Sequence, residues 1–510
     1  MIQALRMLAR ERTEELRIAG VVLGIIVLLV AMGEHFVRTP ATLLAMIAVI
    51  GAGVLVLVNM RLALFLFVAF LVSYEEFNLS SQEAFVEENI ANTVLAVKVF
   101  GFAVMDVVSL LLLLPVLVRE WAHALRAGAW RVFPADRYLM PLLLVWVFGA
   151  LHGWWNALSF SAYTWDIRML GHVLVFYFIF SRVFRTQRDY WLALLLAGAV
   201  LLARQGVFLW RYASGGGLDI GGYSRVLLGS DLPLTAVLLC MSVVTALLYR
   251  RRAPRVAIAA LPLAAYFAVM LVAGLGKLTY LQAAYALVMI GIMHRREISA
   301  RQLGVVFVVA VGAVFAVYTL FMGEAMREAI SYALGSAFNW VDALKLYGDL
   351  SFGTRYLEIV NVWAVLQREG ALLWGLGWGA PWAEIAVHLP FDGGAFDVAE
   401  QYSGIHVQTH IDALTFLLKV GILGTLAVYA SMLRFWWEGV RRYAGLVEPW
   451  QKWTLMALLL LIVIIVPNYL YFIRLKYLLG FAMAGAAVFL TEYHDAETHD
   501  TRIADSHHAE

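Results

Sequence analysis

The chain is predicted to be an all-α polytopic membrane protein with about 12–14 transmembrane helices and one long structured external loop. Three observations carry that expectation. Of 510 residues, 63% are hydrophobic and only 15% charged, where a soluble chain has about a quarter charged. Mean hydropathy is +0.80. The apolar residues fall in solid runs such as LLLLPVLV, not in the short alternating segments of a β-barrel.

Apolar runs place spans near 18–33, 40–59, 61–74, 93–118, 138–154, 168–184, 190–211, 231–249, 256–274, 278–294, 303–322, 409–433, 452–472 and 474–491. The third is short enough to be re-entrant. The opening MIQALRMLARERTEELR is basic, mixed with acids, and precedes a long span without a small-residue cleavage site. It is therefore expected to be retained rather than removed as a signal peptide. The single cysteine, Cys240, excludes an internal disulfide framework and a cysteine-based metal cluster.

Arginines set the orientation. With the N-terminus inside, the alternate connections carry Arg119, Arg126, Arg131 and Arg137; Arg182, Arg185 and Arg188; Arg250, Arg251, Arg252 and Arg255; Arg295, Arg296 and Arg301; and Arg434, Arg441, Arg442 and Lys452. All of these clusters fall on one side, as the positive-inside rule requires. Opposite loops such as YEEFNLSSQEAFVEEN are acidic or neutral. Both termini are thus expected to be cytoplasmic.

This division gives N-terminal transmembrane helices over 1–200 and a transmembrane core with basic external loops over 201–322. A large external loop follows over 323–408, then C-terminal transmembrane helices over 409–491 and a disordered cytoplasmic tail over 492–510. The loop contains TRYLEIVNVWAVLQREG, helical in period, followed by LLWGLGWGAPW. A structured connection of that length is usually functional. The cytoplasmic connections are short and no phosphate-cradling glycine–lysine motif occurs, which argues against ATP as the energy source.

Positive charge on the outer side is the exception and therefore informative. Arg168, Arg204, Arg211, Arg225, Lys277, Arg327, Lys345, Arg355 and Arg368 lie there or at outer span ends. Arg204 sits within its span, where an ionisable group is costly outside a polar cavity. Several cations at one membrane surface suit a polyanion such as diphosphate; the alternative is that each snorkels toward head groups. In HVQTHIDALTFLLKVGILG, His406 and His410 stand one helical turn apart. The HExxH pattern fails at Val407, and Gly404 places His406 before the helix. Three readings remain: a metal site, two hydrogen-bonded interfacial histidines, or a single imidazole, His410, acting as base for a hydroxyl at the mouth of a span. Asp412, two residues on, lies off that face and is not expected to be its partner.

These stretches resemble the O-antigen ligase and O-antigen polymerase superfamily. THIDALTFLLKVGILG fits its histidine signature at His410, Leu414, Leu417, Gly421 and Gly424. TRYLEIVNVWAVLQREGALLWGLGWG looks like its arginine, amphipathic helix and G-x-G turn, and YSRVLLGSDLPLTAVLL is similar to its arginine loop entering a span. VAGLGKLTYLQAAYALV stands where the family has a serine–arginine–glycine turn. The resemblance covers roughly residues 200–435. Ile411 replaces the usual asparagine, Lys277 the usual arginine, and Asp231-Leu232-Pro233 the usual proline–asparagine.

The resemblance implies a metal-independent, cofactor-free glycosyltransferase in the bacterial inner membrane. It would move a glycan from an undecaprenyl-diphosphate carrier to an acceptor glycan or lipid at the periplasmic face, where the long loop would then lie. His410 would be the base. Arg225, Lys277 and Arg355 would hold diphosphate, with Arg204 and Arg168 in reserve and His406 at the substrate. Trp374, Trp378 and Trp382 would stack on sugars or sit at the membrane interface. Expected partners are the lipid-linked glycan, its acceptor, membrane lipids and other polysaccharide-assembly proteins, and no nucleic acid. Ligase and polymerase are not distinguished. Two other classes stay open: a transporter or flippase using Asp106, His172 and Lys419, and a non-catalytic assembly scaffold.

Overall fold

The computed structural model describes residues 51, 53–73, 98–99, 102–130, 132–213, 218–220, 223–225, 231–273, 277–294, 304, 350–389, 404–467, 470 and 474–490. The expected span 18–33, all of 303–322 except residue 304, most of 40–59, and the polar tail lie outside these residues.

The chain is mostly helical, as expected. In order come α1 (Met60–Ser73), α2 (Val104–Ala127), α3 (Met140–Asn156), α4 (Phe160–Val183), α5 (Gln187–Ala213), α6 (Leu232–Tyr249), α7 (Pro254–Ala273), α8 (Lys277–Met293), α9 (Leu350–Arg368), α10 (Asp412–Gly445) and α11 (Pro449–Ile465). The last, α12, spans 474–490. Among the described residues, three antiparallel ribbons add minimal β structure: Lys98–Val99 with Phe102–Ala103, Leu218–Ile220 with Tyr223–Arg225, and Trp382–Ala383 with Ile405–His406. Among the described residues, five helices are long and apolar enough to cross a membrane, namely those over Met105–Ala127, Gln187–Val207, Leu232–Tyr249, Pro254–Leu271 and Asp412–Gly445. The molecule is an all-α membrane protein.

Where helices depart from the expected spans, polar residues explain the shift. The span expected over 93–118 becomes α2, which starts at Val104 and runs past Arg119 to Ala127. The one expected from 168 starts at Phe160, where the Ser159 hydroxyl accepts the Ala162 N–H and caps α4. That turn carries Asp166 and Arg168 inward, and apolar-run counting stops at such residues.

The largest correction concerns 409–433. Helix begins only at Asp412, runs on to Gly445, and is broken at Gly421 (φ 67°, ψ −172°). Only glycine occupies that backbone region without strain of about 1–3 kcal/mol. Breaking a helix exposes carbonyls before the gap and N–H groups after it. The GLGWG loop satisfies both. Leu376 N donates to Leu418 O at 2.8 Å and Gly377 N to Lys419 O at 2.7 Å, while Ile422 N and Leu423 N donate to Leu372 O and Leu373 O at 3.0 and 3.2 Å. A Cβ on Gly421 would stand 2.3 Å from the Leu373 carbonyl. Gly421→Ala is therefore expected to lower the unfolding temperature in detergent markedly. Gly206→Ala on α5, where an added Cβ meets open space, should leave it unchanged or raise it.

The same loop is anchored to α3. Trp378 is fully buried in a groove that Gly149 and Gly153 open by lacking side chains: a Cβ on either would lie within 2.5 Å of Trp378. Its N–H donates to Gly149 O and its Nε1 to Trp146 O, both at 3.0 Å. The stretch expected to be an external loop is thus stitched through residues 371–380 into α3 and α10.

Candidate functional site

His410 lies in the extended approach to α10, where the backbone has not yet become helical. Its Nδ1 stands 2.5 Å from Glu358 Oε1, and its backbone N–H donates to Glu358 Oε2 at 3.0 Å. Glu358 comes from α9 and its side chain is fully buried, whereas the imidazole keeps 27% exposure. An ionised carboxylate can only accept, so Nδ1 donates and the neutral ring carries its lone pair on Nε2. The carboxylate holds ring and backbone together, which orients the imidazole while leaving it accessible. Arg355 precedes Glu358 by three residues on α9 and is half-buried, so the two share a helix face.

His406 belongs to a different pair. Its Nε2 meets Glu384 Oε1 at 2.8 Å, its ring stacks on Trp382 at 4.5 Å, and its side chain is almost fully buried. The two imidazoles therefore engage different carboxylates. Trp382 is buried as well, donating Nε1 to Gln408 O at 3.0 Å. Both Trp378 and Trp382 are thus covered by protein, which removes them as sugar-stacking platforms; Trp374 is 54% exposed.

Lys419 ties the histidine segment to the bundle. Fully buried, its Nζ donates to Asp166 Oδ2 at 2.7 Å, Ala380 O at 2.6 Å and Val407 O at 2.7 Å. The Asp166 carboxylate also accepts Gly379 N at 2.7 Å. One ammonium with three donors thereby joins α4, the glycine-rich loop and the segment between His406 and His410.

The other expected cations form a charged layer where α2, α4, α6, α10 and α12 begin. Arg168 pairs with Asp106 at 2.6 Å, and His172 Nε2 lies 3.4 Å from the same carboxylate. Arg204 pairs with Asp231 at 3.0 Å and also donates to Ser73 O. Arg474 takes the other oxygen of Asp231 at 2.7 Å. Lys476 lies over the Trp165 ring at 5.8 Å and within electrostatic reach of His172 and Asp412. Asp412 accepts Leu470 N at 2.6 Å. The structure brings together His410, Glu358 and the helix bearing Arg355; it engages Arg168 and Arg204 with aspartates instead. The side chains of Arg225 and Lys277 lie outside the described part of the structure.

Glu358, Asp166, Arg474 and Lys476 were not singled out from sequence, and Asp231 only as a departure from the family pattern. Glu358 carried a readable signal, an acid set among the mostly apolar residues of LEIVNVWAVL. Arg474 and Lys476 carried another, two bases opening the last apolar run. No family model matches the chain, and neither a curated protein nor a solved structure matches it.

Proposed function

We propose that the protein is a membrane glycosyltransferase of O-antigen ligase or polymerase type, acting at the periplasmic face. It takes a glycan from an undecaprenyl-diphosphate carrier and passes it to an acceptor sugar hydroxyl. The observation that carries this reading is the His410–Glu358 pair: a partly exposed imidazole oriented by a buried carboxylate, one turn from a half-buried arginine. In the reaction the acceptor oxygen attacks the anomeric carbon, its proton passes to His410 Nε2, and the bond from that carbon to the diphosphate oxygen breaks. Undecaprenyl diphosphate leaves with the bonding electrons. Glu358 stabilises the imidazolium that forms, and Arg355 is placed to favour charge developing on the leaving group.

Transport fits the geometry less well. Asp106, His172 and Lys419, on which a path would run, are closed into pairs and hydrogen bonds. Broken helices of transporters present open backbone groups to a substrate or ion, whereas the break at Gly421 is filled by residues 372–377.

The test is glycan transfer by purified protein in lipid vesicles supplied with an undecaprenyl-diphosphate glycan and an acceptor. Transfer should persist in excess chelator. Arg355→Gln should reduce turnover at subsaturating donor by roughly tenfold or more, the scale of a charge-assisted phosphate contact. Absence of transfer by the native protein, together with movement of donor across the bilayer, would select the transporter instead.

A further inference from the structure

At the other end of α3, away from the histidines, an open cleft of about 440 Å³ is lined by Val132, Phe133, Asp136, Arg137 and Met140. Its one acid is already committed. Asp136 Oδ1 accepts from Tyr177 Oη at 2.7 Å, and Oδ2 accepts from Phe133 N and Arg182 Nη2, both at 2.9 Å. A second guanidinium, Arg137, lines the cleft, and a third, Arg434, stands beside it over the ring of Tyr138, the next residue. Arg137 donates to Tyr138 Oη at 2.7 Å and lies 4.8 Å from the centre of that ring; Arg434, from α10, lies 5.5 Å from the same ring. Both arginines are exposed, and among the described residues neither pairs with a carboxylate. A snorkelling arginine swings freely on its stem. These two are held to one tyrosine, at a point where Ser431 of α10 also donates to Tyr138 O.

The surface running from the cleft is apolar. Along α3 it presents Leu144 and Leu151, and along α10 Leu433 and Leu426, all more than 60% exposed. From the arginines, each pair runs along its helix in the same sense. A phosphate held between two guanidiniums, with hydrocarbon lying along two packed helices, matches this pattern of charge and apolar surface.

We propose that this cleft is a binding site for an anionic phospholipid, with Arg137 and Arg434 taking the phosphodiester and Met140 and Phe133 the start of the acyl chains. A zwitterionic head group would bring its own cation against two arginines that pair with no carboxylate among the described residues, so the site selects net negative charge. This inference does not depend on the glycan-transfer reading.

The test uses the full chain in detergent and in nanodiscs of defined composition. One equivalent of phosphatidylglycerol should survive in native mass spectra, and the unfolding temperature should be higher in phosphatidylglycerol than in phosphatidylcholine. In the double variant Arg137→Gln/Arg434→Gln, phosphatidylglycerol binding should weaken roughly tenfold or more, while unfolding in phosphatidylcholine stays unchanged. Arg137→Lys/Arg434→Lys should recover part of the binding. Arg251→Gln/Arg255→Gln, at exposed positions between α6 and the first turn of α7, should behave as native. Three outcomes overturn the proposal: equal phosphatidylglycerol binding by native protein and the double glutamine variant, equally tight retention of phosphatidylcholine, or reproduction of the shift by inorganic phosphate alone, which would make this a free-anion site.

Discussion

Glu358→Gln should lower glycan transfer by about 10²-fold while leaving the protein folded, and His410→Ala should lower it by 10²- to 10⁴-fold, the usual scale of general-base catalysis. Glutamine keeps the size of the side chain and one acceptor oxygen but removes the charge that stabilises an imidazolium. Its amide can also turn a donor toward Nδ1, favouring the tautomer with the proton on Nε2, which cannot accept one there. Because the two residues act as one unit, the double variant should be no slower than His410→Ala alone. Multiplying effects would mean that Glu358 acts separately from the imidazole, for example on fold or donor binding. Donor affinity, measured apart from turnover, should barely move in Glu358→Gln, whereas Arg355→Gln should weaken it.

The second large effect is on stability. Lys419→Met leaves the Asp166 carboxylate buried without its ammonium partner, and Asp166→Asn leaves the ammonium likewise. Breaking a buried pair by removing one partner costs about 3–5 kcal/mol, whereas replacing both partners is often close to neutral. The combined variant should therefore be more stable than Lys419→Met alone, as read by thermal unfolding in detergent. Transfer should nevertheless stay impaired in the combined variant, because the hydrogen bonds to Ala380 O and Val407 O are gone and Val407 lies in the segment that leads into His410. A double variant as unstable as the single would show that packing around the aliphatic stem, rather than charge pairing, dominates at this point.

Composition and solid apolar runs were enough to read the helical membrane architecture, and spans such as 231–249 and 256–274 agree with α6 and α7 to within a few residues. The break in α10 was hidden for a physical reason. VGILG is as apolar as the residues that follow it, and a glycine in such a run is compatible with continuous helix. What makes Gly421 a break is a loop more than forty residues earlier in sequence, and hydropathy contains no term for that approach. His410 could be picked out because an imidazole at the end of an apolar run is conspicuous. Its carboxylate partner could not be paired with it, since Glu358 lies on another helix. For the same reason Arg204 read as an unexplained charge within a span, although Asp231 and Ser73 were waiting in other segments.

The gap in α10 also constrains how the chain is assembled in the bilayer. Residues 412–420 and 422–445 cannot enter hydrocarbon as one finished cylinder, because the Ile422 and Leu423 amides need acceptors on Leu372 and Leu373. Backbone donors left bare in lipid are too costly to persist. Translation delivers the GLGWG turn first, so the plug exists before the socket is synthesised. Insertion of this helix is then a joint event with that turn, and a chain whose 371–380 segment has been scrambled should stall with its later portion exposed to membrane proteases.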